Sequence, residues 1–282
     1  MSGSRLVVAE AVAGGLIGGR LWLYSNYHCN LTCKYCLTGS APGVPRREIS
    51  LGRLADIAIE ARLLGFTALG VTGGEPFLVP GLPRALAAMA AELPTLVLSN
   101  GTLFTPRLLA DLAPLAGLDL AIQISLDSAE PDVNDAMRGP RNFAKVIAAI
   151  PRLRALGFRV RVATTGADLE PEALARLCEL HRSLGVADED HVVRPIARRG
   201  RARERGLGIG AALADLPAEL TVTADGAFWS PFGPTVEAGR LDTDLLLTRT
   251  TAPLSAPAAA MLRVVGSPDA SRPAGSDHLK IC

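Results

Sequence analysis

From about residue 20 to about residue 196, short apolar runs alternate with longer segments whose apolar positions recur every three or four residues. That is the pattern of strands and amphipathic helices in turn. RLWLYSN at 20–26 is predicted to be the first strand. Ser50 is placed to cap a helix running to about Leu64, with Leu54, Ile57, Ala58 and Ala61 on one face and Gly65 to stop it. TALGV at 67–71 is the second strand, a helix spans roughly 82–92, and TLVLS at 95–99 is the third strand. Pro106 opens a short helix, and LDLAIQISLD at 118–127 is a strand with period-two alternation. Residues 142–156 are helical, with Pro151 expected to kink or split the helix. FRVRVAT at 158–164, a helix from Pro171 to about Leu184, and HVVRPI at 191–196 complete the series. Six β/α units with short loops predict a parallel sheet with helices outside it. Chemistry on such a sheet belongs at the carboxyl ends of the strands.

Past about residue 206 the pattern changes. ELTVTADGAFWSPF predicts a hairpin turning at Asp225-Gly226. Residues 251–277 are rich in Ala, Pro and Ser and are expected to be poorly ordered. The chain therefore divides into an N-terminal segment (1–19), a β/α core (20–205), a hairpin-containing extension (206–250) and a tail (251–282). At 282 residues and 49% hydrophobic, it can bury a sizeable core.

Charge narrows the partners. The formal net charge is +1, which gives no global case for a polyanion. The basic run RRGRARERG at 198–206 lacks the interleaved aromatics used on single strands, so nucleic acid is not the expected partner. The run reads instead as a rim steering an anionic substrate, or as a solvated loop. No apolar run reaches the ~20 residues that span a bilayer. LVVAEAVAGGLIGG after Arg5 is interrupted by Glu10 and lacks a small-x-small cleavage site, so it is not read as a signal peptide. Five cysteines, clustered and odd in number, do not form a disulfide framework and point to the cytoplasm.

Three of those cysteines, Cys29, Cys33 and Cys36, lie as C-x3-C-x2-C directly after the first strand. A zinc site would need a fourth ligand. Cys178 sits within a predicted helix, Cys282 is the last residue, and His28 adjoins Cys29 too closely. Packing as small hydrophobes is at odds with Asn30, Thr32 and Lys34 beside them. Iron–sulfur ligation fits better, since each thiolate takes one iron of a [4Fe–4S] cluster and three leave one iron open. His181 and His191 are read as structural, and Cys178 as a core residue of its helix.

CNLTCKYC, with Tyr35 before the last cysteine, resembles the signature of the radical S-adenosylmethionine (radical SAM) superfamily. Further motifs follow in order: VTGGEPFL at 71–78 is similar to the family's Gly-Gly-Glu motif, LSNG at 98–101 to its Ser/Thr-Asn-Gly turn, and ISLDS at 124–128 precedes NDAMRGP. RPIARRGRA at 194–202 resembles a segment of members with a cluster-binding extension. The resemblance covers roughly residues 20–205. It implies a partial (β/α)6 TIM-like barrel with one [4Fe–4S] cluster on Cys29, Cys33 and Cys36. It also implies SAM bound through Tyr35, Gly73, Gly74, Glu75, Asn100, Ser125 and Arg138. Asp127 is expected to order its loop instead. The implied chemistry is reduction by an external one-electron donor of flavodoxin or ferredoxin type, cleavage of SAM to a 5′-deoxyadenosyl radical, and hydrogen abstraction from a peptide or small-metabolite substrate.

The extension departs from SPASM and twitch relatives. Ser230 stands about where a first auxiliary-cluster cysteine would be, and only Cys282 lies downstream. A degenerate extension covering the barrel mouth, and a single cluster, are therefore expected. Cys282 is an exposed thiol, a hydrogen donor that quenches a substrate radical, or an added ligand. The alternative to an enzyme is a non-catalytic scaffold that keeps the cluster.

Overall fold

The computed structural model describes residues 2–166, 170–212, 215–237 and 240–266. Helix α1 (Ser2–Ala13) precedes β1 (Arg20–Asn26), α2 (Leu51–Leu64), β2 (Ala68–Gly73), α3 (Leu82–Glu92) and β3 (Thr95–Ser99). Then come α4 (Pro106–Leu112), β4 (Leu120–Ser125), α5 (Pro131–Arg138), α6 (Asn142–Ala155), β5 (Arg159–Thr165), α7 (Pro171–Ser183), β6 (His191–Arg194) and α8 (Gly200–Glu204). Short strands β7 (Thr221–Val222), β8 (Ala227–Phe228), β9 (Val236–Glu237), β10 (Arg240–Leu241) and β11 (Leu246–Thr248) lead to α9 (Ser255–Val265).

Strands β1 to β6 lie in sequence order and pair in parallel, as the six β/α units predict. The sheet continues past β1 through β7, β8 and β11, so β11 and β6 are its two edges and the barrel stays open. Local chemistry starts and stops the helices as expected. Ser50 Oγ accepts from Arg53 N at 3.2 Å, and Gly65 ends α2 with φ +100°. Leu54, Ile57, Ala58 and Ala61 are buried against the sheet. Thr105 caps α4 just before Pro106.

Three expectations change or narrow. Helix α6 is not split at Pro151 but continues through it to Ala155. Val146, Ile150 and Leu153 anchor one face to the sheet while Pro151 faces solvent, where water can satisfy the carbonyl it leaves unbonded. The predicted hairpin forms as β7–β8. Its strands extend the sheet beside β1, with Trp22 opposite Thr221 and Leu23 opposite Val222, and Phe232 just after them lines the cavity. Finally, residues 251–266 are ordered. Ala and Met favour helix, and α9 packs on α1 with Ala258, Ala260 and Met261 buried. Residues 267–282, and with them Cys282, lie outside the described residues.

Candidate active site

The loop after β1 crosses the carboxyl edge of the sheet and carries all three clustered cysteines. A cavity opens there, lined by Cys29, Cys33 and Cys36 together with Tyr35, Gly73, Gly74, Asn100, Ser125 and Arg138. Four parallel strands, β1 to β4, or their following segments thus deliver the sequence-predicted residues to one place. Arg194, Ile196 and Phe232 line it as well.

Glu75 is the exception. Its carboxylate is fully buried and does not line the cavity. It accepts from Asn100 N at 2.7 Å, Ser99 Oγ at 2.9 Å and Phe77 N at 3.1 Å. Burial pushes its pKa up to about 7 against the pull of those donors. Glu75 therefore ties the Gly-Gly turn to the end of β3 and leaves the backbone of Gly73 and Gly74 to face the cavity. The turn is pressed hard against the cysteine loop: a Cβ on Gly74 would meet His28 O at 1.9 Å, and Gly73 holds φ +132°. Asn26 braces the other side, donating to Glu75 O at 2.8 Å and accepting from Gly74 N at 3.2 Å.

Asn100 donates to Asn30 Oδ1 at 2.8 Å, and its amide nitrogen lies 3.6 Å from Cys29 Sγ. Arg138, at the end of α5, is buried against Asp127 at 3.2 Å and hydrogen-bonds the Tyr35 hydroxyl, which also donates to Asp127. Burial works against the Arg138 charge, but Tyr35, Asp127 and Cys33 hold it protonated. Asp127 also accepts from Thr165 N at 2.9 Å, which is the loop-ordering role expected of it. Ser125 ends β4 at the cavity wall.

The donor set suits an iron–sulfur cluster. Burial raises the Cys29 thiol to about 12 and the Cys33 thiol to about 11, so both need a bound cation to lose their protons. Among the described residues, no three His, Cys, Asp or Glu side chains converge closely enough for a single metal ion. A cluster that takes one thiolate at each of three separate irons does not need such convergence. His28 turns towards Glu48, 3.6 Å away, and Cys178 towards His191, 3.7 Å away. His181, buried and stacked edge-on with His191, is held down to about 3 chiefly by desolvation.

Sequence reasoning misplaced one group. The basic run at 198–206 is solvated only in part: Arg198, Arg203 and Arg205 are exposed, but the run is tied down and Arg201 is taken inside. Arg199 bonds Asp244 at 2.7 and 2.8 Å, Arg203 bonds Glu237, and Arg198 donates to Gly208 O. Arg201 is buried and donates to Cys33 O, Gly39 O and Ser40 O at 2.8–2.9 Å. Its sequence cue is the glycine before it, since Gly200 adopts φ +52° in close contact with the cysteine loop. Asn26 was also missed, having no motif of its own.

The comparisons with known proteins agree with this geometry. The model of the Radical SAM superfamily matches residues 23–184. Mycofactocin maturase MftC of Mycobacterium ulcerans (strain Agy99) is 35% identical over 133 residues, covering 47% of this chain and 35% of its own length. The AdoMet-dependent heme synthase of Methanosarcina barkeri (strain Fusaro / DSM 804) is 31% identical over 160 residues, covering 56% and 45%. The matched stretch spans less than half the length of either relative. Streptococcus suis SuiB bound to S-adenosylmethionine superposes with a TM-score of 0.60 at 14% identity, over 77% of this chain and 61% of SuiB. anSMEcpe with bound AdoMet and Cp18Cys peptide gives 0.58 at 10% identity, over 88% and 83%. The family model spans more than half of the chain, and its cysteines and glycines sit at the mouth of a matching open sheet, so this protein belongs to the radical SAM superfamily, whose members use a [4Fe–4S] cluster and SAM.

Proposed function

We propose that this chain holds one [4Fe–4S] cluster on Cys29, Cys33 and Cys36, binds SAM in the adjoining cavity, and acts on a peptide substrate. The observation that carries the reading is the single cavity shared by those cysteines with Gly73, Gly74, Asn100, Ser125 and Arg138. When bound, the cluster supplies an electron and SAM the hydrogen-abstracting group. Gly73 and Gly74 let the backbone approach the amino-acid end of SAM, and Asn26 and Glu75 keep that turn in place. Arg138 offers a buried cation for a carboxylate, oriented by Asp127 and Tyr35. Phe232 and Ile196 close the apolar side and help exclude water.

A peptide is favoured because the relatives include a maturase, and because SuiB has been captured with its precursor peptide SuiA. The heme synthase relative makes a small metabolite the second reading. Reduction is assigned to an external donor of flavodoxin or ferredoxin type. No helix among the described residues is long and apolar enough to cross a membrane. The test is anaerobic. Protein reconstituted with iron and sulfide is reduced with dithionite, given SAM, and assayed for 5′-deoxyadenosine beside a Cys29/Cys33/Cys36→Ala triple variant. Product from wild type alone supports the reading. A cluster-loaded wild type that binds SAM yet forms no product, with dithionite or a flavodoxin and with candidate peptides present, favours the scaffold alternative.

A further inference from the structure

Residues beyond the matched span 23–184 do not merely follow the core; they return to grip the cysteine loop from outside. The grip has two jaws. Arg201 N donates to Cys36 O at 3.0 Å, while its guanidinium donates to Cys33 O, Gly39 O and Ser40 O. On the other side, Val236 N donates to Thr38 O at 2.8 Å and Thr235 Oγ1 to Leu37 O at 3.2 Å. Both jaws close at glycines that admit no side chain. A Cβ on Gly200 would meet Leu37 O at 2.2 Å, and one on Gly39 would meet Val236 O at 2.2 Å. Of the donors in this clasp, only the Arg201 side chain reaches both ends of the loop, from Cys33 to Ser40.

We propose that Arg201 is a positioning residue for the cluster, fixing the spacing of Cys33 and Cys36 by bonding the carbonyls around them. This rests on the reading that Cys29, Cys33 and Cys36 hold the cluster. A planar fork with five donors suits three carbonyls at fixed angles, and its charge is solvated by them in place of water. Without it, buried carbonyls lose their partners and the loop can open. Arg201 touches no reacting atom in this scheme; it acts through the backbone of the ligands.

The test uses the full chain, reconstituted anaerobically, as wild type, R201Q, R201K and R182Q. R182Q is the control because Arg182 is exposed on α7 and pairs with Asp188, not with the cysteine loop. Three readouts are taken: far-UV circular dichroism, the rate of iron loss to a chelator, and the EPR spectrum of the reduced cluster with and without SAM. The expected result is that R201Q keeps its dichroism but loses iron about tenfold faster than wild type, as loss of one net hydrogen bond implies. Its EPR g-values shift, and R201K lies between R201Q and wild type. R201Q with the wild-type rate and spectrum overturns the proposal. Where R201Q does not fold, R201K takes its place and its rate and spectrum decide in the same way. A wild type that takes up no cluster sinks the underlying ligand assignment instead, so the two failures are told apart.

Discussion

Replacing Glu75 by alanine separates two opposing effects at one buried carboxylate. Removal leaves the N–H groups of Asn100 and Phe77 without an acceptor, and takes away the one that Ser99 Oγ uses. Two orphaned buried donors cost about 2–6 kcal/mol together. Against this, wild type carries the cost of burying a charge. A pKa raised from 4.5 to about 7 corresponds to about 3 kcal/mol, felt only once the carboxyl ionises. Because the folded pKa is the higher one, the folded protein binds more protons than the unfolded chain between about 4.5 and 7. This contribution to wild-type stability is therefore full below the unfolded pKa and is lost as pH rises through the folded one. E75A lacks that slope. Its deficit relative to wild type is expected to be large at pH 5 and to shrink by up to about 3 kcal/mol at pH 8. Urea unfolding of the metal-free, reduced protein at both pH values, followed by circular dichroism, measures the gap. A deficit that widens from pH 5 to pH 8 would refute burial as the dominant influence on Glu75.

Other outcomes follow from neighbouring geometry. G74A forces a methyl against His28 O, where built contact would be 1.9 Å; the turn must move, and SAM affinity, read by equilibrium dialysis, should fall well before the dichroism changes. D127N leaves the buried Arg138 without its anion and should cost about 3–5 kcal/mol in unfolding free energy; an unchanged urea midpoint rules this out. His181 stays neutral in the fold, so wild type should lose stability as pH drops below the ordinary histidine range. H181L should flatten that acid-side loss, and thermal melts between pH 5 and 7 will show whether it does.

Much of this protein was legible as text. The period-two and period-three-to-four alternation fixes β1 to β6 and their helices because each element must bury one face. Ser50, Pro106 and Gly65 mark boundaries by local hydrogen bonding and backbone conformation that need no distant partner. The C-x3-C-x2-C spacing locates the candidate cluster loop for the same reason: its chemistry is local in sequence. What the sequence could not decide depends on contacts across long separations. Whether Glu75 faces SAM or the protein is settled by the end of β3, 24 residues away. That Arg201 enters the interior, unlike the exposed arginines around it, is settled by carbonyls more than 160 residues upstream. That an Ala/Pro-rich stretch becomes α9 is settled by α1, against which it buries Ala258 and Met261. Composition records a residue's intrinsic preference, but a buried charge or a marginal helix is stable only where the folded chain supplies its partner. That information exists only in three dimensions.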